Sequence, residues 1–160
     1  MAAILERAGM ARGALYHYFP GGKAEIFTAV FDMINEAFHR RRDSLHDLPS
    51  PLARLESGVA VFLDMCTEDD FARIALAEAP QVVPGQGGRG SSYALLRDQV
   101  VEAIAAGELV LLDHEAVAMA LYGAVRSAGE HVIAADNRAT AVMESIKTLN
   151  CFLDGLRAAP

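Results

Sequence analysis

Apolar residues recur along this chain at intervals of three and four, the period of helices with one buried face. Near the start, Ile4, Leu5 and Ala8 share one face of a short helix that Gly9 ends, with Met10 at the apolar corner. A second short helix follows. In it Ala11, Gly13 and Ala14 keep the N-terminal end slim, Leu15 and Phe19 face inward, and Arg12, Tyr16, His17 and Tyr18 stay outside. From about Lys23 a longer helix carries Ile26, Phe27, Val30, Ile34 and Phe38 to the cluster Arg40-Arg41-Arg42, which fits a solvated C-terminus favoured by the helix dipole.

Ser50-Pro51 sets a capping hydroxyl before a proline at the first helical position, and Leu52, Leu55, Val59, Phe62, Leu63 and Cys66 form the buried stripe that follows. A shorter helix is predicted from about Asp69 to Val82, with Phe71, Ile74 and Ala75 inside. Pro84 and four glycines between Gly85 and Gly90 then break the chain into a loop. Ser91 or Ser92 caps the next helix, which packs Leu95, Leu96, Val100, Ala103 and Ile104 and ends at Gly107. Asp113 caps a long one with the stripe Val117, Leu121, Ala124, Val125, Ala128 and Val132. A last helix from about Asn137 repeats Val142, Ile146, Leu149, Leu153 and Leu156 in a near-heptad seam. Two such apolar faces can close the core of one chain or pair with a second copy, and periodicity leaves both open.

The two short helices joined at Gly9 read as a helix-turn-helix. Its slim second helix suits a major groove about 12 Å wide, with residues near its start reaching base edges and nearby cations and hydroxyls holding phosphate. The expected DNA contacts are Arg12 and Gly13 at base edges, Tyr16, His17 and Tyr18 along the groove and backbone, and Lys23 on phosphate.

Charge sharpens that division. The 160 residues carry a net −7, which argues against nonspecific coating of nucleic acid, yet residues 1–42 hold six Lys or Arg against four Asp or Glu, while residues 43–160 hold eight against seventeen. A basic head over 1–42, including its connecting helix, and an acidic body over 43–160 are therefore expected. An apolar fraction of 52% permits a sizeable core. Two distant cysteines, Cys66 and Cys151, make neither a disulfide framework nor a metal site and fit a reduced cytoplasm. Charges interrupt every apolar stretch before the roughly 18 residues of a membrane span, and no secretory signal opens the sequence, so a soluble chain without membrane contact is expected.

Competing chemistry finds little support. Gly85-Gln86-Gly87-Gly88-Arg89-Gly90 satisfies G-x-G-x-x-G but lacks the βαβ setting of a dinucleotide site. Asp113-His114-Glu115 are consecutive on a helix, about 100° apart, and cannot close on one ion unaided. No serine sits in a G-x-S-x-G elbow, and no histidine is spaced to pair with a nucleophile. Neither an enzyme, a cofactor nor a bound metal is expected.

Residues Ala8-Gly9, Gly13-Ala14-Leu15-Tyr16, Tyr18-Phe19 and Lys23 together resemble the DNA-binding end of TetR-type bacterial transcriptional regulators. The resemblance implies an all-helical homodimer that grips a palindromic operator and carries a C-terminal ligand-binding and dimerisation domain. Its last two helices would form a four-helix bundle with those of a second copy, and a largely apolar small molecule would release the repressor from DNA. It also implies that this sequence lacks the first helix of the family's DNA-binding domain, the buried floor beneath the recognition helix. Without that floor Ile4, Leu5, Leu15 and Phe19 would expose apolar surface worth about 1.5–3 kcal/mol per fully buried side chain.

A cavity of the kind the resemblance implies would be lined by Phe62, Met65, Ile74, Tyr93, Leu96 and Val100, all of which read equally as plain core. Glu78 falls seven residues after Phe71 and is either a solvated helix end or a ligand anchor. Tyr122, Arg126 and Glu130, spaced by four, offer either an Arg126–Glu130 pair or polar groups for a ligand at Tyr122 and Arg126. His131 on the small-residue stripe reads as a packed interface histidine. The alternative from another class is a helical small-molecule-binding or protein-interaction module without a DNA role.

Overall fold

The computed structural model describes residues 2–45, 47–78 and 91–158. Among them the fold is all-α, with helices α1 (Ala2–Ala8), α2 (Arg12–Tyr18), α3 (Lys23–Asp43), α4 (Pro51–Met65), α5 (Asp69–Phe71), α6 (Ser91–Ala105), α7 (His114–Ala134) and α8 (Arg138–Asp154). A π-helical stretch, Ala72–Glu78, continues α5. Extended pairing among these residues is confined to one antiparallel bridge between Leu109 and Arg157. No helix of this set is long and apolar enough to cross a membrane.

Local chemistry places most boundaries where the sequence puts them. Gly9 takes φ +61°, a conformation costly for any side chain, and lets the Met10 N–H reach back to the Leu5 carbonyl at 3.1 Å. Ser50 Oγ accepts from the Ala53 N–H and Asp113 Oδ1 from Ala116, so two helices start on the expected side-chain caps, and the last helix starts at the expected Asn137, whose Oδ1 accepts from Thr140. Ser91 and Ser92 instead fall inside α6. The first turn of α4 has a second acceptor invisible to sequence, because Glu108 Oε2 takes the Leu52 N–H at 2.7 Å from 56 residues away.

Helix α4 runs through the middle of the body, packed against α3, α6, α7 and α8. It buries Leu52, Leu55, Gly58, Val59, Leu63 and Met65 there. Around it close Val100 and Ala103 of α6, Val117, Leu121, Val125 and Val132 of α7, and Leu149 and Leu153 of α8. One expected element is corrected. The described part of the expected Asp69–Val82 helix, residues 69–78, is one α-turn followed by a π-helix, with Phe71 and Ile74 buried as foreseen, and residues 79–82 lie outside the described residues. On α8 the buried row is Ala141, Ser145, Leu149 and Leu153, spaced by four, and Val142, Ile146 and Leu156 are only half-buried. Small Ala141 and Ser145 let α8 lie close to its neighbours, which turns the larger aliphatics to the flanks. In the head, Leu15 is 2% exposed and Leu5 and Phe19 are half-buried, so these three are more covered than expected, while the Ile4 side chain lies outside the described residues.

Both cysteines are free, Cys66 buried and Cys151 exposed. Burial raises the Cys66 thiol from its ordinary 9.0 to about 12. Between these values the native chain keeps a proton that the unfolded chain releases. The contribution of Cys66 to stability is therefore intact below pH 9 and lost as pH rises towards 12. Iodoacetamide at pH 8 is expected to leave Cys66 unmodified until urea unfolds the protein, read by peptide mass spectrometry. Native alkylation of Cys66 would contradict its burial.

Candidate functional site

Helix α2 has one buried residue, Leu15, and turns Arg12, Gly13, Tyr16, His17 and Tyr18 to solvent, with Lys23 exposed at the start of α3. All six sequence-predicted residues are thus solvent-exposed on the head. Tyr18 is more open than Tyr16, at 67% against 39% exposed, and its ring meets His17 edge-on at 5.4 Å. The Arg12 guanidinium stands 5.8 Å from the centre of the Tyr16 ring, one helical turn away. On its other side Tyr16 faces Gly22, where a Cβ would stand 3.5 Å from Cε1. Gly22 has φ +66°, so the entry to α3 needs a glycine. Glu25, overlooked in the sequence, holds this turn by accepting the Gly21 N–H at 2.6 Å.

At the other end of α3 lies a cavity of about 100 Å³, bounded also by α4, α5, the π-helix, α6 and α7. Most of its wall is apolar, with Phe38, Phe62 and Phe71 in edge-to-face contact at 6.3 and 5.8 Å. The polar groups are Asn35, Arg42, Ser92, Gln99, Tyr122 and Arg126. Four of the ligand candidates, Phe62, Leu96, Tyr122 and Arg126, stand on this wall. Met65 and Val100 do not, being 1% and 0% exposed in the core, and Ile74 packs instead with Phe31 beneath α3. Tyr93 lies behind the wall, its ring edge-on to Tyr122 at 5.4 Å and its hydroxyl donating to Glu115. The Glu78 side chain and the glycine-rich segment 85–90 lie outside the described residues.

The largest omission of the sequence reading is α3 itself, which gives Phe31, Asn35, Phe38 and Arg42 to the wall. Their spacing of four, three and four was available as a signal. It was masked because Arg42 belongs to a run of three arginines that reads as a solvated helix end. Arg40 and Arg41 do pair at the surface, with Glu36 and Glu68. Arg126 donates from Nη2 to the Leu76 carbonyl at 3.0 Å and pairs through Nε with Glu130 at 3.3 Å, tying α7 to the π-helix. Among the described residues no three potential ligands gather for a metal, and Asp113 and Glu115 are occupied by the cap and by Tyr93. His131 is exposed beside a shallow groove between α7 and α8 rather than packed within the chain.

Behind the cavity, α7 comes close to α4 and the π-helix at Gly129. A Cβ there would stand 3.1 Å from Phe62 Cε1, Cys66 Sγ and Leu76 Cδ1. Phe62 and Leu76 border the open space and can give way into it, whereas Cys66 cannot. Gly129→Ala is therefore expected to change stability by no more than about 1 kcal/mol, helix propensity offsetting the crowding, while Gly129→Leu costs about 1–3 kcal/mol by overpacking. Urea unfolding of both variants checks this.

A helical head with a buried Leu15 and a cationic, aromatic outer side, joined by one helix to an apolar cavity, is the architecture of a ligand-responsive DNA-binding regulator. Residues 52–156 match the family profile described as "Tetracyclin repressor-like, C-terminal domain", and residues 1–30 that described as "Bacterial regulatory proteins, tetR family". The chain belongs to the TetR family of transcriptional regulators. Members of this family bind operator DNA, respond to small-molecule effectors, dimerise and are in general not enzymes. Among solved structures, the fold is similar to a TetR-family transcriptional regulator from Pectobacterium atrosepticum, with a TM-score of 0.80 and 23% identity over 100% of this chain and 84% of that one. It is also similar to a protein described as the molecular basis for control of antibiotic production by bacterial hormones, with a TM-score of 0.74 and 22% identity over 97% and 85%. No curated protein sequence matches significantly.

Proposed function

We propose that this protein is a cytoplasmic repressor that binds a palindromic operator as a homodimer and releases it when a small molecule fills the cavity. The observation that carries this is the dual use of α3. Its 21 residues, about 30 Å of helix, begin beside the recognition helix at Lys23 and end on the cavity wall at Arg42. Phe31 packs on Ile74 of the π-helix, which Arg126 holds through Leu76. A ligand that displaces this seam would tilt α3 and change the separation of two recognition helices in a dimer. A hundredfold loss of operator affinity requires the ligand to prefer the tilted state by about 2.7 kcal/mol.

Dimerisation through α7 and α8 is supported by Met119, Met143 and Phe152, which are 49%, 63% and 42% exposed in the single chain. A two-fold axis there would present two heads to two half-sites. The test is fluorescence anisotropy of a labelled duplex from the region upstream of the gene, against a scrambled duplex at physiological salt. Specific binding by two protomers per duplex is expected. Equal binding to both duplexes, or to neither, would refute the repressor reading and leave a helical ligand-binding module.

A further inference from the structure

We infer that the effector carries a carboxylate on an apolar, ring-sized body; this rests on the cavity being the effector site. Among the described residues lining the cavity there are two arginines, Arg42 and Arg126, and no acidic side chain, although the chain as a whole carries −7. The counter-charges of both lie off the wall. Arg42 meets Asp43 at 3.9 Å, and Asp43 is 62% exposed; Arg126 meets Glu130 at 3.3 Å, and Glu130 is 58% exposed. Both arginine side chains are themselves largely covered, at 20% and 28% exposed. Solvated carboxylates screen poorly placed partners. An anion held against the apolar wall beside either guanidinium would therefore gain more from it than Asp43 or Glu130 supplies.

Guanidinium geometry favours a planar two-oxygen acceptor, and Arg126 already spends only Nη2 and Nε on described partners. Asn35, Gln99 and Tyr122 add neutral hydrogen-bonding groups on the same wall. The whole cavity, about 100 Å³, is smaller than the cavity of about 150 Å³ that accepts benzene, so it admits a body no larger than a single ring. The ligand body is thus an aromatic ring or its aliphatic equivalent, with the carboxylate towards the arginines.

Isothermal titration calorimetry on the full chain compares 3-phenylpropionate with its amide, alcohol and amine analogues, against wild type, Arg42→Gln and Arg126→Gln. The acid is expected to bind at least tenfold more tightly than the amide or alcohol, and the amine more weakly than either. Each substitution should remove about tenfold from the acid alone. Because Arg126→Gln also cuts the tie to Leu76, Arg42→Gln, whose described partner is the exposed Asp43, decides the matter if the other variant misfolds. Equal binding of acid and alcohol overturns the carboxylate while leaving the cavity as the effector site. Binding of no analogue, whatever its head group, overturns both.

Discussion

Leu63→Ala is expected to lower the unfolding free energy by about 2–5 kcal/mol, the largest effect of any single truncation considered. Leu63 is 0% exposed on the central helix α4, which is surrounded by α3, α6, α7 and α8. Removing its isobutyl group leaves a void that no neighbour can fill without moving a helix. For a chain of this size that corresponds to a fall in Tm of roughly 5–15 °C. Leu96→Ala makes the control. Leu96 is half-buried and already borders the cavity, so its truncation enlarges an existing space and costs about 1–2 kcal/mol. Urea unfolding at one fixed protein concentration measures both, since dimerisation makes stability depend on concentration. If Leu96→Ala costs as much as Leu63→Ala, the space between α3, α4, α6 and α7 is not open as described.

The second large effect is on DNA. We propose that Arg12, at the start of the recognition helix, reads a base edge, so Arg12→Ala is expected to lose about 1–3 kcal/mol of affinity for the operator and little for a scrambled duplex. Its placement over Tyr16 holds the guanidinium on the outer side of α2 before DNA arrives. Lys23→Ala is expected to weaken both duplexes alike and to lower the salt dependence by about 0.9 per phosphate contact, near 2 for a dimer. Anisotropy titrations between low and physiological salt separate the two. Uniform weakening by Arg12→Ala would place that side chain on phosphate and move base reading elsewhere on α2.

The sequence by itself determined most of the helix boundaries and the exposed surface of the head's second helix. A glycine able to take φ +61° at position 9, oxygens at Ser50, Asp113 and Asn137, and apolar residues at helical spacing act within one or two turns, so their consequences are legible without a fold. For the same reason the outer side of α2 could be named residue by residue, since one face of a short helix follows from the position of Leu15 on the other.

Tertiary structure alone decided the cavity. Phe62, Leu96, Tyr122 and Arg126 were recognisable as candidates, but Met65 and Val100, equally apolar, turn into the core, and Arg42 leaves a surface-like run to join the wall. Which side of a helix meets empty space depends on crossing angles and on close approaches such as the one at Gly129. Likewise Glu108 caps α4 from 56 residues away, and Ala141 and Ser145 displace the larger aliphatics of α8 from the buried row. These are consequences of how helices pack against one another, and helical periodicity records only that each has an apolar side.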